Sequence, residues 1–238
     1  MATRTDPELD DPGSTDPGLA RRRLWQLVSP TLPVGTYSYS GGMEWAIEAG
    51  WITDEDAVAD WMQGQIRHSL SRVDIPLLAR LHRAWLEDDD EAVERFSAWL
   101  GASRETRELR AEDRHLGQAL ARLLSELDLN EADRWQGHPD ATWATLFALA
   151  LARWSIPVEE GAEAILWSWC ENQVAAAIKL VPLGQTAGQR LLHRLASTIG
   201  EAAREGLARD DSAIGGTAPG VAIASTLHET QYSRLFRS

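Results

Sequence analysis

From Ser40 onward the apolar residues recur at a spacing near 3.6, and long segments lack the β-branched runs of period two that mark strands. This pattern predicts an all-α fold. After Ser103, the residues Leu109, Leu116, Leu120, Leu123, Leu124 and Leu127 share one helical face, while Arg107, Arg110, Glu112, Asp113 and Arg114 spread over the others. After Gly184, Leu191, Leu195, Ile199 and Ala202 form a buried stripe, with Gln185, Gln189 and His193 as a polar row beside it. Thr53, followed by Asp54, Glu55 and Asp56, suits a helix N-terminus, and that helix is expected to run to about Leu70 before Pro76 restarts the chain. Further helices are expected from about Pro76 to Glu87, Glu91 to Leu100, Ala141 to Trp154 and Pro157 to Leu180. The sum is a single helical bundle of roughly eight to ten helices. No repeat of solenoid length is present, because the eleven Trp positions are irregular.

A chain of 238 residues can remove roughly 70% of its unfolded surface from water, so its core needs no disulfide or metal. Cys170 is the only cysteine, which excludes an internal disulfide and fits a cytoplasmic protein. A formal charge of −13 disfavours sequence-independent nucleic-acid binding and favours protein partners. Residues 1–20 carry Asp6, Glu8, Asp10, Asp11 and Asp16 among Pro, Gly, Ser and Thr, and read as a disordered acidic tail ahead of one domain over 21–238. No secretory signal follows Arg21, Arg22 and Arg23, and the weakly polar stretch Ala141 to Ala152 falls short of the roughly 20 residues a membrane span requires.

Three segments depart from simple core patterning. Ser29 to Trp45 is rich in Pro and Gly; Pro30 and Pro33 prevent a regular helix, and Gly35, Gly41 and Gly42 permit positive φ, so a specific turn presents Tyr37 and Tyr39. It lacks the lysine and the preceding strand of a phosphate-binding loop. Lys179 to Arg190 breaks one helix at Pro182 and Gly184 and opens the next with Gln185 and Gln189 on one face. His228 to Ser238 combines Tyr232, Leu235 and Phe236 with Arg234 and Arg237, residue types common at binding hot spots. The acidic run Glu87 to Glu91 superficially matches the Asp-rich magnesium sites of helical enzymes, but lies between two amphipathic segments and reads as a solvated turn. His68, His82, His115, His138, His193 and His228 are dispersed, so the sequence offers no metal site and no cofactor, and it carries no catalytic serine or cysteine motif.

These segments resemble the UreF family of urease accessory proteins. The matching words are Leu24-Trp-Gln-Leu-Val-Ser-Pro, Leu32-Pro-Val-Gly with Tyr-Ser near Tyr39, Glu105-Thr-Arg-Glu, Val181-Pro-Leu-Gly-Gln with Gly-Gln at Gln189, and Arg234-Leu-Phe-Arg-Ser, in the same order from about Leu24 to Ser238. The resemblance implies a non-enzymatic, homodimeric chaperone that bridges the accessory protein UreD (also called UreH) and the GTPase UreG, with nickel passing through the complex to apo-urease. Within it, Glu44, Lys179, Gln185 and Gln189 are the expected contacts to the GTPase, and Tyr232, Arg234, Phe236 and Arg237 the expected contacts to UreD. Two other readings remain open: an all-α enzyme built on Asp88, Asp89 and Asp90, and a direct activator of the GTPase that inserts an arginine such as Arg234.

Overall fold

Helix α1, Pro17–Leu27, opens on Asp16, whose carboxylate accepts the Gly18 and Leu19 N–H groups at 3.0 and 3.1 Å, and on Pro17, whose missing N–H costs nothing in a first turn. The computed structural model describes residues 16–238. Residues 17–20, read above as tail, are therefore the start of a helix with Ala20 buried; the disorder expected of residues 1–15 lies outside the described residues. The acidic composition hid the N-cap and the Pro that begin this helix.

The other helices are α2 (Met43–Glu48), α3 (Glu55–Gln65), α4 (Ile75–Leu86), α5 (Asp90–Ala102), α6 (Arg107–Glu126), α7 (Trp143–Arg153), α8 (Val158–Leu180), α9 (Gln185–Leu207) and α10 (Pro219–His228). No strand occurs among the described residues, and the bundle is all-α, as the apolar period predicts. The first helix after Trp51 is capped one residue later than its sequence suggests, by Asp54 accepting from Ala57 N–H at 2.9 Å.

α7 is the centre of the bundle. Every residue from Ala144 to Ala152 is buried, and the helix packs on α4, α5, α6 and α8, which explains why its sequence is apolar on all sides. Gly117 of α6 makes one of these approaches possible, since a Cβ there would sit 2.6 Å from the Thr142 carbonyl carbon. Trp85 of α4 donates its indole N–H to the Thr145 carbonyl at 3.0 Å and meets Trp135 edge-on at 6.3 Å. α8 and α9 form a long hairpin around the corner Val181-Pro182-Leu183-Gly184.

Pro76 does not restart the chain. A π-helical stretch, Ile66–Asp74, joins α3 to α4, so the backbone stays helical from Glu55 to Leu86. Proline can give no hydrogen bond to the carbonyl four residues back, which is that of Arg72; the N–H of Gly215 takes that place at 3.1 Å. A loop distant in sequence thus satisfies the acceptor that Pro76 leaves open.

Candidate partner-docking site

The site grows from the glycines before α2. Gly41 and Gly42 have φ of 59° and 80°, and a Cβ on Gly42 would lie 2.9 Å from the Ser225 backbone nitrogen, so α10 crosses here in direct backbone contact. This crossing places Glu44, in the first turn of α2, beside His228 at the end of α10 and the segment that follows it.

Residues 229–238 have no helix to pair their backbone groups, and side chains of the bundle take over that task. Glu44 Oε1 accepts the Leu235 N–H at 2.6 Å, and Oε2 accepts the Phe236 N–H at 2.9 Å together with His228 Nε2 at 3.2 Å. His228 is fully buried; its Nδ1 lies 2.7 Å from Glu108 Oε2, while Glu108 Oε1 accepts from Arg234 Nη1 at 2.7 Å. Each ring nitrogen of His228 thus faces a carboxylate, so the imidazole ties α2, α6 and the end of α10 together. Farther along, Arg237 N–H donates to the Ser38 carbonyl and Ser40 N–H to the Ser238 carbonyl, each at 2.9 Å, and Ser238 Oγ donates to Glu112. The Phe236 ring is buried, with Lys179 Nζ 5.5 Å from its centroid.

The two expected residue sets are therefore redistributed. Glu44 is only 7% exposed, and its oxygens are occupied by the chain's own C-terminal segment, so it is a holder of that segment and not a surface contact. Lys179 is exposed and sits over Phe236, beside the C-terminal segment, whereas Gln185 and Gln189 are exposed at the start of α9. Phe236 anchors the segment to its own bundle, while Arg234 and Arg237 stay exposed at their outer ends and Tyr232 is wholly exposed. Sequence reasoning missed Ser40, Glu108, Glu112 and His228 as anchors; Glu108 closes the word Glu105-Thr-Arg-Glu, but nothing in it shows which helix end it faces.

Burial pushes the Glu112 carboxyl up to about 7, with the neighbouring Asp113 and Glu108 charges adding to the rise and the Ser238 hydroxyl and Arg104 opposing it. Burial works against the charge of Arg104, but Asp113 and Asp74, at 2.8 and 2.6 Å, more than offset it and hold its pKa well above the ordinary value. Burial also raises the Tyr39 hydroxyl, whose oxygen lies 3.2 Å from His115 Nδ1. The sole thiol, Cys170, is buried and pushed up to about 12, which makes it inert as a nucleophile.

The acidic run does not form a carboxylate cluster. Asp88 adopts φ of 53° and pairs with Arg153, Asp89 caps α5 through Ala92 N–H at 3.0 Å, and Asp90 pairs with Arg134. Three acidic side chains pointing to three different partners are the furniture of a turn. Among the described residues, no group of three His, Cys, Asp or Glu side chains is placed to hold a metal ion, and no helix is long and apolar enough to cross a membrane.

Comparison with known proteins adds a family to this geometry. The family model described as UreF matches residues 52–196. The urease accessory protein UreF of Alkalilimnicola ehrlichii is 69% identical over 224 residues, covering 94% of this chain and 98% of the relative. Proteins of the same name from Hahella chejuensis and Chromohalobacter salexigens are 47% and 44% identical, covering 93% and 96% of this chain and 100% and 99% of the relatives.

Proposed function

This chain belongs to the UreF family of urease accessory proteins, and from that premise we propose that it is a scaffold that bridges UreD (UreH) and the GTPase UreG so that nickel reaches apo-urease. It is an accessory protein and not an enzyme. In this reading the chain works in the cytoplasm as a homodimer, nickel passes through the assembly as cargo, and GTP is hydrolysed on the partner.

The observation that carries the reading is where apolar side chains meet solvent. Of the nine large hydrophobic residues exposed among the described residues, Ile223, Leu227, Tyr232 and Leu235 fall within one stretch of thirteen residues, on α10 and the clasped segment after it. An apolar concentration on an otherwise strongly acidic chain is the signature of a protein contact. Tyr232, Arg234 and Arg237 are the proposed contacts to UreD, held in place by Glu44 and Phe236 beneath them. Lys179, Gln185 and Gln189, at and beyond the α8–α9 corner, are the proposed contacts to UreG.

Of the arginines a direct activator could insert, Arg234 is tied to Glu108 at 2.7 Å, which counts against that residue as the one that reaches the transferred phosphate. The deciding experiment measures the nickel content and activity of urease co-produced with its other accessory proteins under limiting nickel, with this chain intact, absent, or ending before Tyr232. Dependence on the chain and failure on truncation are expected. Equal loading without the chain overturns the scaffold reading. GTP turnover by UreG alone and with this chain separates scaffold from activator, since an arginine finger raises hydrolysis by roughly 10³-fold or more.

A further inference from the structure

On α6, Arg107, Arg110, Arg114 and Arg122 follow one another at spacings of three, four and eight, so they share one face of the helix, with Gln118 filling the gap. All four are exposed, and they run along about 22 Å of helix axis. Of the carboxylates on this helix, Glu108 and Glu112 turn to the C-terminal segment and Asp113 pairs with Arg104, which leaves Glu126, exposed one turn beyond Arg122, as the one near the end of this face. Arg107 meets Glu229 at 3.2 Å, yet remains 81% exposed. Arg110 spends its donors on the backbone carbonyls of Gly101 and Arg104, which leaves its charge unneutralised. Arg114 and Arg122 have no hydrogen bond or ion pair with any described residue.

At its far end this face opens into a cleft of about 390 Å³ between α6 and the turn of residues 34–39. Tyr39, His115, Gln118, Arg122 and Arg237 line it, and no carboxylate does, on a chain with 36 acidic residues. The local field is positive: burial lowers the His115 pKa, and the Arg114 and Arg237 charges lower it further.

We infer that the arginine face of α6, together with its terminal cleft, is a docking surface for an acidic segment of a partner protein. Separate carboxylates spaced along a peptide can each engage a guanidinium as a paired hydrogen bond, over a length that a small anion cannot span. The surface is separate from Lys179, Gln185 and Gln189, shares Arg237 with the proposed UreD contacts, and does not depend on the scaffold reading.

The test uses the full chain and a fluorescently labelled peptide of ten glutamates, followed by anisotropy at low and at near-physiological salt. Saturable binding that weakens as salt rises is expected. Arg114→Gln combined with Arg122→Gln is expected to weaken it about tenfold, while Arg95→Gln combined with Arg204→Gln, the same charge change at exposed positions elsewhere, leaves it within about twofold. Circular dichroism on each variant confirms that the helical fold is intact. Absence of peptide binding at low salt overturns the proposal, as does an equal loss in the two double variants. Displacement of the peptide by equimolar inorganic pyrophosphate, or equally tight binding of a ten-nucleotide single strand, overturns it in favour of a general anion site.

Discussion

Glu44 shows how a residue can stand out in a sequence while its partners stay hidden. Its place in a first helical turn is legible from Gly41-Gly42-Met43-Glu44, but its partners lie more than 180 positions away, and no local pattern reports them. Replacing it by Gln keeps the size and removes the charge that gathers two backbone N–H groups and an imidazole. Glu44→Gln is expected to cost about 2–3 kcal/mol in urea unfolding and to speed hydrogen exchange at the Leu235 and Phe236 amides; unchanged exchange there would sink the clasp. Glu112 behaves in the opposite sense. Its folded pKa of about 7 stands above the ordinary 4.5, so its contribution to stability is complete below about 4.5 and is lost as pH rises through about 7. Glu112→Gln is therefore expected to gain roughly 1–2 kcal/mol over the native chain at pH 8 and almost nothing at pH 4.5. The same difference at both pH values would show that burial of this carboxyl does not govern its titration.

Among the elements, the long helices were legible because each buries one stripe, and α7 because it buries every side. What the sequence concealed were features decided by tertiary partners: the continuation of the helix through Pro76, made possible by Gly215, and the start of α1 within an acidic stretch. Glycines in α9 give a matched test of this dependence. Gly206 faces the π-helical stretch and α4, where a Cβ would sit 2.7 Å from Ile75 Cβ and 2.8 Å from the Ser71 carbonyl oxygen. Gly200, in the same helix, would meet nothing nearer than Glu163 Oε1 at 3.8 Å. Gly206→Ala should destabilise by about 1–3 kcal/mol, because backbone cannot move aside, whereas Gly200→Ala should stabilise by about 0.5–1 kcal/mol through lower unfolded-state entropy. Chemical denaturation of both variants checks the pair, and a loss at Gly200 comparable to that at Gly206 would contradict this packing.

For the molecule as a whole, a charge of −13 means that the folded chain repels itself in weak salt, and ion pairs such as Arg190–Glu55 and Arg194–Asp56, which lie at the surface, compensate little of this. The melting temperature is expected to rise by a few degrees between 10 and 150 mM NaCl, followed by calorimetry at pH 7.5; a fall would mean that the ion pairs outweigh the repulsion. Removing Leu235 to Ser238 strips two backbone partners from Glu44 and the Ser238 hydroxyl from Glu112, and is expected to lower it by about 5–10 °C. The clasp also carries a consequence in time. It joins residue 44 to residues 235 and 236, the type of closure whose entropy is met last when a chain folds. On a ribosome, α2 emerges long before its partners, and Glu44 waits exposed until nearly two hundred further residues have been added. The contact of Lys179 with Phe236 does not exist until then, so a truncated or half-synthesised chain lacks the finished C-terminal segment on which the proposed UreD contacts stand.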